Sequence, residues 1–189
     1  MSASVPTLFT ETTLDGFPLW VVLLICGGVF LAGFMDAIAG GGGIISVPVY
    51  LMAFSGLPTH FVLGTNKLSS CIGTAFSTAR FIHQGYVHWR LFLLVFIHLG
   101  KMDTRHAAGG VKVINLASNI GGVCSALMAG TVVLGVGLAA ALASILGHYL
   151  GAGLAIRNGS KIVRPAVVVV LLLLLVKVIS ELLFPNFWN

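Results

Sequence analysis

Charged side chains are scarce in this chain, whose 189 residues include only ten Lys and Arg and five Asp and Glu. Charged residues make up 8% of the sequence and hydrophobic residues 58%. A water-soluble globule needs a largely polar surface, which this composition cannot supply. The sequence therefore indicates an integral membrane protein that contacts the lipid bilayer. The net charge of +5 does not indicate a nucleic-acid partner, because seven of the ten cations lie in short connecting loops.

Cysteine is also rare, and the three cysteines Cys26, Cys71 and Cys124 each lie within an apolar segment. Their spacing fits neither a metal site nor a disulfide framework, so we expect packed thiols, no metal and no cofactor. The glycine-rich stretches lack the Lys and Ser or Thr that follow a phosphate-binding loop, and no G-x-S-G string is present. An enzyme is therefore not expected, and solute movement driven by an ion gradient is the default.

Uncharged stretches predict where the chain crosses the membrane. Residues 18–35 carry no charge, residues 113–156 are long enough for two spans, and residues 165–184 are a third candidate at about 20 residues per crossing. Barrel strands would be about 10 residues long with alternating polarity, so we expect an all-α, polytopic transmembrane helical bundle. It forms a single integral membrane domain over residues 1–189.

The short loops set the predicted orientation through the positive-inside rule. Residues 83–110 form a cytoplasmic basic loop, and the apolar stub within it, residues 91–100, is too short to cross. Residues 1–16 have no Lys or Arg and are predicted to stay attached and extracytoplasmic, as is the C-terminus. The cations behind this assignment are Arg80, Arg90, Lys101, Arg105, Arg157, Lys161 and Arg164.

Two halves flank this loop, a first at residues 17–82 and a second, shortened one at residues 111–184. The first half contains three passes, or one pass and a re-entrant hairpin. Its middle piece, residues 44–56, would span only about 20 Å as a helix, against about 30 Å of hydrocarbon. We therefore expect this piece either to cross as a tilted helix or to form a re-entrant half-helix after the glycine run. Gly147 and Gly151, four residues apart, predict a close contact between two helices.

Polar groups interrupt the apolar first half at two places. Asp36 precedes the glycine run at residues 40–43, and Thr65, Asn66 and Lys67 follow further along. An Asp or Lys at the centre of a membrane helix costs about 2.5 to 3.5 kcal/mol on insertion scales, so its presence suggests a function. The sequence thus favours a protein that handles a polar solute.

The lysine segment recurs once at a fixed offset that pairs Lys67 with Lys112. Each copy places a lysine and two hydrogen-bonding side chains on one helical face, at i, i+3 and i+7. The predicted topology makes the two lysine helices run in opposite directions, which is typical of inverted-repeat transporters with a site near the membrane midplane. The other pairs are Thr59 with Thr104, Gly64 with Gly109, Ser70 with Asn115, and Thr74 with Asn119.

Four blocks of this sequence resemble the sulfite exporter TauE/SafE family, also called the 4-toluene sulfonate uptake permeases. They are GFMDAIAGGGGIISVP at residues 33–48, LGTNKLSS at 63–70, KVINLASNIGG at 112–122 and IRNGSKIVRP at 156–165. The resemblance covers residues 31–176. It implies a bacterial inner-membrane protein that moves sulfite, sulfonates or related small organic anions.

One departure from the family pattern stands out. The resemblance implies a second acidic, glycine-rich hairpin leading into the Lys112 helix, and here residues 91–100 pass almost directly into residues 101–110. The chain is therefore similar to a family member shortened internally by several tens of residues. A second copy of the chain, in a homodimer, could supply the missing half.

Anion coordination is the chemistry that these residues predict. An oxyanion needs N–H or O–H donors and positive charge, which glycine backbone, a helix N-terminus, lysine and small polar side chains provide. Asp36 would pair with a lysine in the empty site or carry a coupling proton. The predicted substrate-binding residues are Gly40, Gly41, Gly42, Gly43, Thr65, Asn66, Lys67, Ser70, Lys112, Asn115 and Asn119, with Ser69 and Ser118 nearby.

Structural explanations compete at each of these positions. The glycine run could serve only helix packing, Asp36 with Lys67 could be a buried ion pair, and the hydroxyls could bond their own helix. His148 could relay protons, although a hydrogen bond between helices is the simpler interpretation. The sequence predicts a permease or exporter for a small anionic solute. The alternatives are an inactive or structural fragment of such a transporter and, third, a passive anion channel.

Overall fold

A computed structural model describes residues 13–87 and 104–183. Within these residues the chain forms a minimal antiparallel hairpin and six helices, so the predicted all-α bundle is confirmed. The predicted stub at residues 91–100 lies outside the described residues. The elements are β1 (Thr13–Leu14), β2 (Phe17–Pro18), α1 (Leu19–Ala39), α2 (Gly43–Ala53), α3 (Thr59–His83), α4 (Thr104–Met128), α5 (Leu134–Asn158) and α6 (Ser160–Leu183).

Three of the described helical segments are long and apolar enough to cross a membrane, namely Leu19–Ala39, His106–Met128 and Leu134–Asn158. They lie where the sequence predicts the first span and the pair of spans at residues 113–156. Helix α6 covers most of the remaining predicted span and begins earlier, at Ser160. Helix α2 has 11 residues and a length of about 17 Å, which makes it the short helix expected after the glycine run.

The glycine run reverses the chain between α1 and α2. Gly40 and Gly41 have φ angles of 79° and 83°, a left-handed conformation that only glycine adopts readily. A Cβ on Gly42 would lie 2.7 Å from the carbonyl oxygen of Ala32, so this position also admits no side chain. Helix α2 then returns along α1, until Phe54 stacks on Phe17 with ring centroids 4.7 Å apart.

Helices α1 and α5 form the most extensive helix pair and run parallel. The small residues that the sequence singles out lie at their contact. A Cβ on Gly147 would lie 2.2 Å from the backbone oxygen of Phe30, and a Cβ on Gly151 would lie 2.4 Å from that of Phe34. Both glycines therefore let the two backbones approach closely, as the predicted helix contact requires.

Helix α4 runs antiparallel to α3, on which it mainly packs. Near one end of the pair, the Thr78 hydroxyl donates to the backbone oxygen of Lys112 at 3.2 Å. Near the other end, Gly64 of α3 lies against Ala126. The two lysine helices thus have the opposed directions that the repeat predicts. In the most apolar 18-residue stretch of α4 only 6% of the residues are buried, against 44% in α1 and in α5, so the described residues leave a broad face of α4 uncovered.

Candidate functional site

A polar cavity of about 200 Å³ lies between α1, α3, α4, α5 and the start of α2. Most of the sequence-predicted site residues line it. The structure brings together Asp36, Gly41, Gly42, Gly43, Asn66, Lys67, Ser70, Asn115, Ser118 and Asn119 from four helices and one turn.

Three predicted binding residues do not line this cavity. Gly40 forms the turn after α1. The Thr65 hydroxyl accepts a hydrogen bond from the Val133 backbone N–H at 3.0 Å and so fixes the start of α5. The Lys112 side chain is turned toward Asp36, beside a second, more apolar cavity of about 170 Å³. The hydroxyl of nearby Ser69 also has its hydrogen bonds satisfied, because it donates to the backbone oxygen of Asn66 and accepts from the Tyr50 hydroxyl.

Asp36 is the centre of a charged cluster. The Lys112 ammonium donates to Oδ2 of Asp36 at 2.8 Å and also contacts the backbone oxygen of Asp36. His148 Nε2 lies 3.2 Å from the same Oδ2. The backbone N–H of Gly42 donates to Oδ1 at 3.0 Å, so the turn after α1 is fastened to this carboxylate. The Lys112 side chain is 2% exposed and the Asp36 side chain 15%, so the pair is largely buried.

The ion pair therefore joins the two predicted halves. The sequence raises a structural pair between Asp36 and Lys67, which both lie in the first half. The structure instead pairs Asp36 with Lys112 of the second half, at 76 residues' separation. The charge of Lys112 is thus compensated, whereas the charge of Lys67 is not compensated by Asp36.

Lys67 extends into the cavity from α3. Its ammonium donates to Oδ1 of Asn119 at 3.0 Å, and no carboxylate pairs with it in the described part of the chain. The amide nitrogen of Asn119 donates in turn to the Thr74 hydroxyl at 3.2 Å. The lysine stem passes over Gly122, where a Cβ would lie 3.0 Å from Lys67 Cδ. An ammonium with one neutral partner has hydrogen-bonding capacity left for a ligand.

Two further side chains in the cavity wall have unused polar atoms. Ser46 Oγ and Asn66 Oδ1 are buried, and neither has a hydrogen-bond partner. Buried polar atoms are nearly always partnered in proteins, so such exceptions in a cavity wall indicate a place for a ligand or water. Because the oxygen and nitrogen of an amide are interchangeable by rotation, Asn66 can present either a donor or an acceptor.

Sequence reasoning left three polar cavity-lining residues, Ser46, Ser144 and His148, out of the predicted site. Ser46 lies in α2, and its hydrophobic surroundings in sequence gave no signal. Ser144 and His148 lie on α5, where His148 reads most simply as a hydrogen-bonded interhelical residue. Its position beside Asp36 depends on how α1 and α5 pack. The small residues at 147 and 151 indicate that α5 makes a close helix contact, but they do not give the register of that contact along α1. Thr74 belongs to the repeat and was predicted to share the face of Lys67.

One protein-family model matches most of the helices described above. The model of the family described as sulfite exporter TauE/SafE matches residues 25–98 and 91–178. The chain belongs to this family of membrane transporters. It is accordingly a multi-pass membrane protein, which agrees with the apolar helices described above. No solved structure gives a significant match to the chain.

Individual relatives are named as transporters. A probable membrane transporter protein, ORF9, of Sinorhizobium is 23% identical over 236 residues, which cover 80% of this chain and 90% of the relative. The probable membrane transporter protein YfcA of Escherichia coli is 24% identical over 224 residues, covering 74% and 82%. A probable membrane transporter protein of Haemophilus influenzae is 41% identical over 83 residues, covering 43% of this chain and 31% of the relative.

The aligned length of 236 residues exceeds the 189 residues of the entire chain. The relative therefore contains residues that have no counterpart here. This agrees with an internally shortened member of the family.

Proposed function

We propose that this chain is a secondary transporter that binds sulfite, a sulfonate or a related small organic anion in the cavity beside Lys67. The observation that carries the proposal is the uncompensated charge of Lys67. Asp36 pairs with the buried Lys112 at 2.8 Å, so the half-buried Lys67 is left without a carboxylate partner among the described residues. A cation in a partly buried cavity is costly without an opposite charge, so an anionic solute gains by binding there.

The neutral groups of the cavity suit an oxyanion. Ser46 provides a free hydroxyl and Asn66 a free amide group. Gly43 begins α2, and the N-terminus of a helix carries a partial positive charge that favours anions. Asn115, Ser70 and Ser118 supply further hydrogen-bonding groups in the cavity wall. Together they can replace the water that a small oxyanion leaves behind.

The proposed setting is the inner membrane of a bacterial cell, with both termini extracytoplasmic. The described helix directions support this arrangement, since α1, α3 and α5 run parallel and Arg80 of α3 lies beside Gly153 near the end of α5. Arg80 also donates to the backbone oxygen of Tyr149 at 2.7 Å. The basic ends of α3 and α5 thus share one side of the bundle, as cytoplasmic ends do.

The main alternative is an inactive or structural fragment of such a transporter. The uncovered face of α4, beside Asn115 and Ser118, supports it, because the missing hairpin would be needed to cover that face. An inactive fragment binds no anion. A passive anion channel is the third candidate. It would carry an anion current that does not saturate as the anion concentration rises.

The test measures exchange of radiolabelled sulfite and of methanesulfonate in liposomes that contain the purified full chain. We expect saturable exchange, and a loss of about 10-fold to 100-fold in affinity for Lys67→Gln, because hydrogen bonds to charged groups contribute about 1.5 to 3 kcal/mol. Lys161→Gln is the matched control, since Lys161 is exposed at the start of α6 and should leave exchange unchanged. Equal affinities of the two variants, or no exchange in the unmodified chain, would contradict the proposal.

A further inference from the structure

We propose that His148 binds the coupling proton and that the chain is a proton–anion symporter, an inference that rests on the proposed function. His148 lies on α5 and is 2% exposed. Its ring fits a niche of small residues, because a Cβ on either Gly33 or Gly73 would lie 2.5 Å from Nδ1. Helices α1 and α3 thus both leave room for an imidazole at this place.

One ring nitrogen is committed to a backbone acceptor. Nδ1 lies 3.0 Å from the carbonyl oxygen of Ser144, one helical turn earlier, and 3.2 Å from the Ser144 hydroxyl. A carbonyl oxygen can only accept a hydrogen bond, so Nδ1 carries a hydrogen. The remaining nitrogen, Nε2, is therefore the one that gains or loses a proton.

Nε2 has two possible partners, and each suits one protonation state. Asp36 Oδ2 lies at 3.2 Å and accepts a charge-assisted hydrogen bond from a protonated Nε2. The Thr74 hydroxyl lies at 3.5 Å and can donate to an unprotonated Nε2. In the unprotonated state the Nε2 lone pair would face the carboxylate, which is unfavourable. The two hydrogen bonds thus define two alternative states of the ring.

The protonation state reaches the anion site through charge and hydrogen bonding. The charged groups that face His148 in the described residues are Asp36 of α1 and, through it, Lys112 of α4. From α3, the neutral Thr74 links the ring to Asn119 and so to Lys67. A proton on His148 adds one positive charge to the cavity wall, so proton and anion each favour the binding of the other. This reciprocal coupling is that of symport.

Symport makes a testable statement about accumulation. Methanesulfonate is the probe, because its charge does not change with pH and its neutral acid is negligible in water. With one proton per anion, the unmodified chain should accumulate methanesulfonate on the alkaline side about tenfold for each pH unit across the membrane. In His148→Gln the accumulation ratio should fall to one, while slower exchange without a gradient remains measurable. His60→Gln, an exposed histidine at the start of α3, is the control and should accumulate normally.

The outcomes separate this inference from the proposed function. Gradient-driven accumulation that persists in His148→Gln, or accumulation on the acidic side by the unmodified chain, would overturn the inference and leave anion transport standing. No exchange by the unmodified chain would overturn both.

Calorimetry of methanesulfonate binding in buffers of different ionisation enthalpy tests the unmodified chain alone, so it does not depend on how the variant folds. Net proton uptake on binding is expected, and no uptake at any pH would refute the assignment.

Discussion

Asp36→Ala is expected to lower the free energy of unfolding by about 3 to 5 kcal/mol, the usual cost of removing one partner of a buried ion pair. The loss is large because the Lys112 ammonium, 2% exposed, would keep its charge without a carboxylate at 2.8 Å. The variant also frees the Gly42 N–H from its 3.0 Å hydrogen bond and so loosens the turn into α2. Denaturation of the purified protein in detergent micelles measures the effect.

A double-mutant cycle separates the ion pair from the other contacts of Asp36. Asp36→Ala combined with Lys112→Met should recover much of the lost stability, because an apolar pair in a buried site is often neutral relative to the ion pair. Asp15→Ala is the matched single control, since Asp15 is exposed and, among the described residues, accepts one hydrogen bond, from the Val136 N–H at 3.0 Å. Losing that bond at the start of α5 should cost about 1 kcal/mol. Similar losses for the two single variants would show that the buried pair does not stabilise the fold.

Gly147→Leu is expected to cost about 3 kcal/mol, the upper end for overpacking, because the side chain has no room between α1 and α5. A Cβ at this position already lies 2.2 Å from the Phe30 backbone oxygen, and a backbone cannot give way as a flexible side chain can. The two helices would have to separate. That separation would also move His148, the next residue in the chain, away from Asp36.

Gly27 offers the control on the other helix of the pair. A Cβ on Gly27 meets nothing within 4 Å, so Gly27→Leu should leave stability nearly unchanged or raise it slightly through better helix propensity. Thermal unfolding of both variants, followed by size-exclusion chromatography in detergent, gives the comparison. If Gly147→Leu unfolded at the same temperature as Gly27→Leu, the close α1–α5 contact would be disproved.

The sequence predicts the membrane helices and most of the cavity wall because both depend on local chemistry. Asp36, Lys67 and the glycine run are conspicuous within apolar stretches, and helical spacing alone places Lys67 and Ser70 on one face. The short α2 follows from the length of the predicted middle piece, residues 44–56. The opposed directions of α3 and α4 follow from counting crossings between basic loops.

Long-range pairing could not be predicted in the same way. Asp36 pairs with Lys112 rather than Lys67 because of how far along α3 the α4 helix packs. A local sequence pattern does not determine that relative position. His148 is one of six histidines, and only the register of α5 against α1 brings it to the carboxylate. The unpartnered Ser46 is likewise a property of the assembled cavity, since a serine in a helix often bonds its own backbone.

The cross-half ion pair also has an electrical consequence. Because Asp36 is paired with Lys112, the Lys67 ammonium gives the described interior of the bundle an excess of positive charge that repels small cations. Any leak conductance through reconstituted protein should therefore follow the chloride gradient rather than the potassium gradient, and its reversal potential would report the imbalance directly. A carboxylate introduced opposite Lys67 should remove the preference for chloride over potassium.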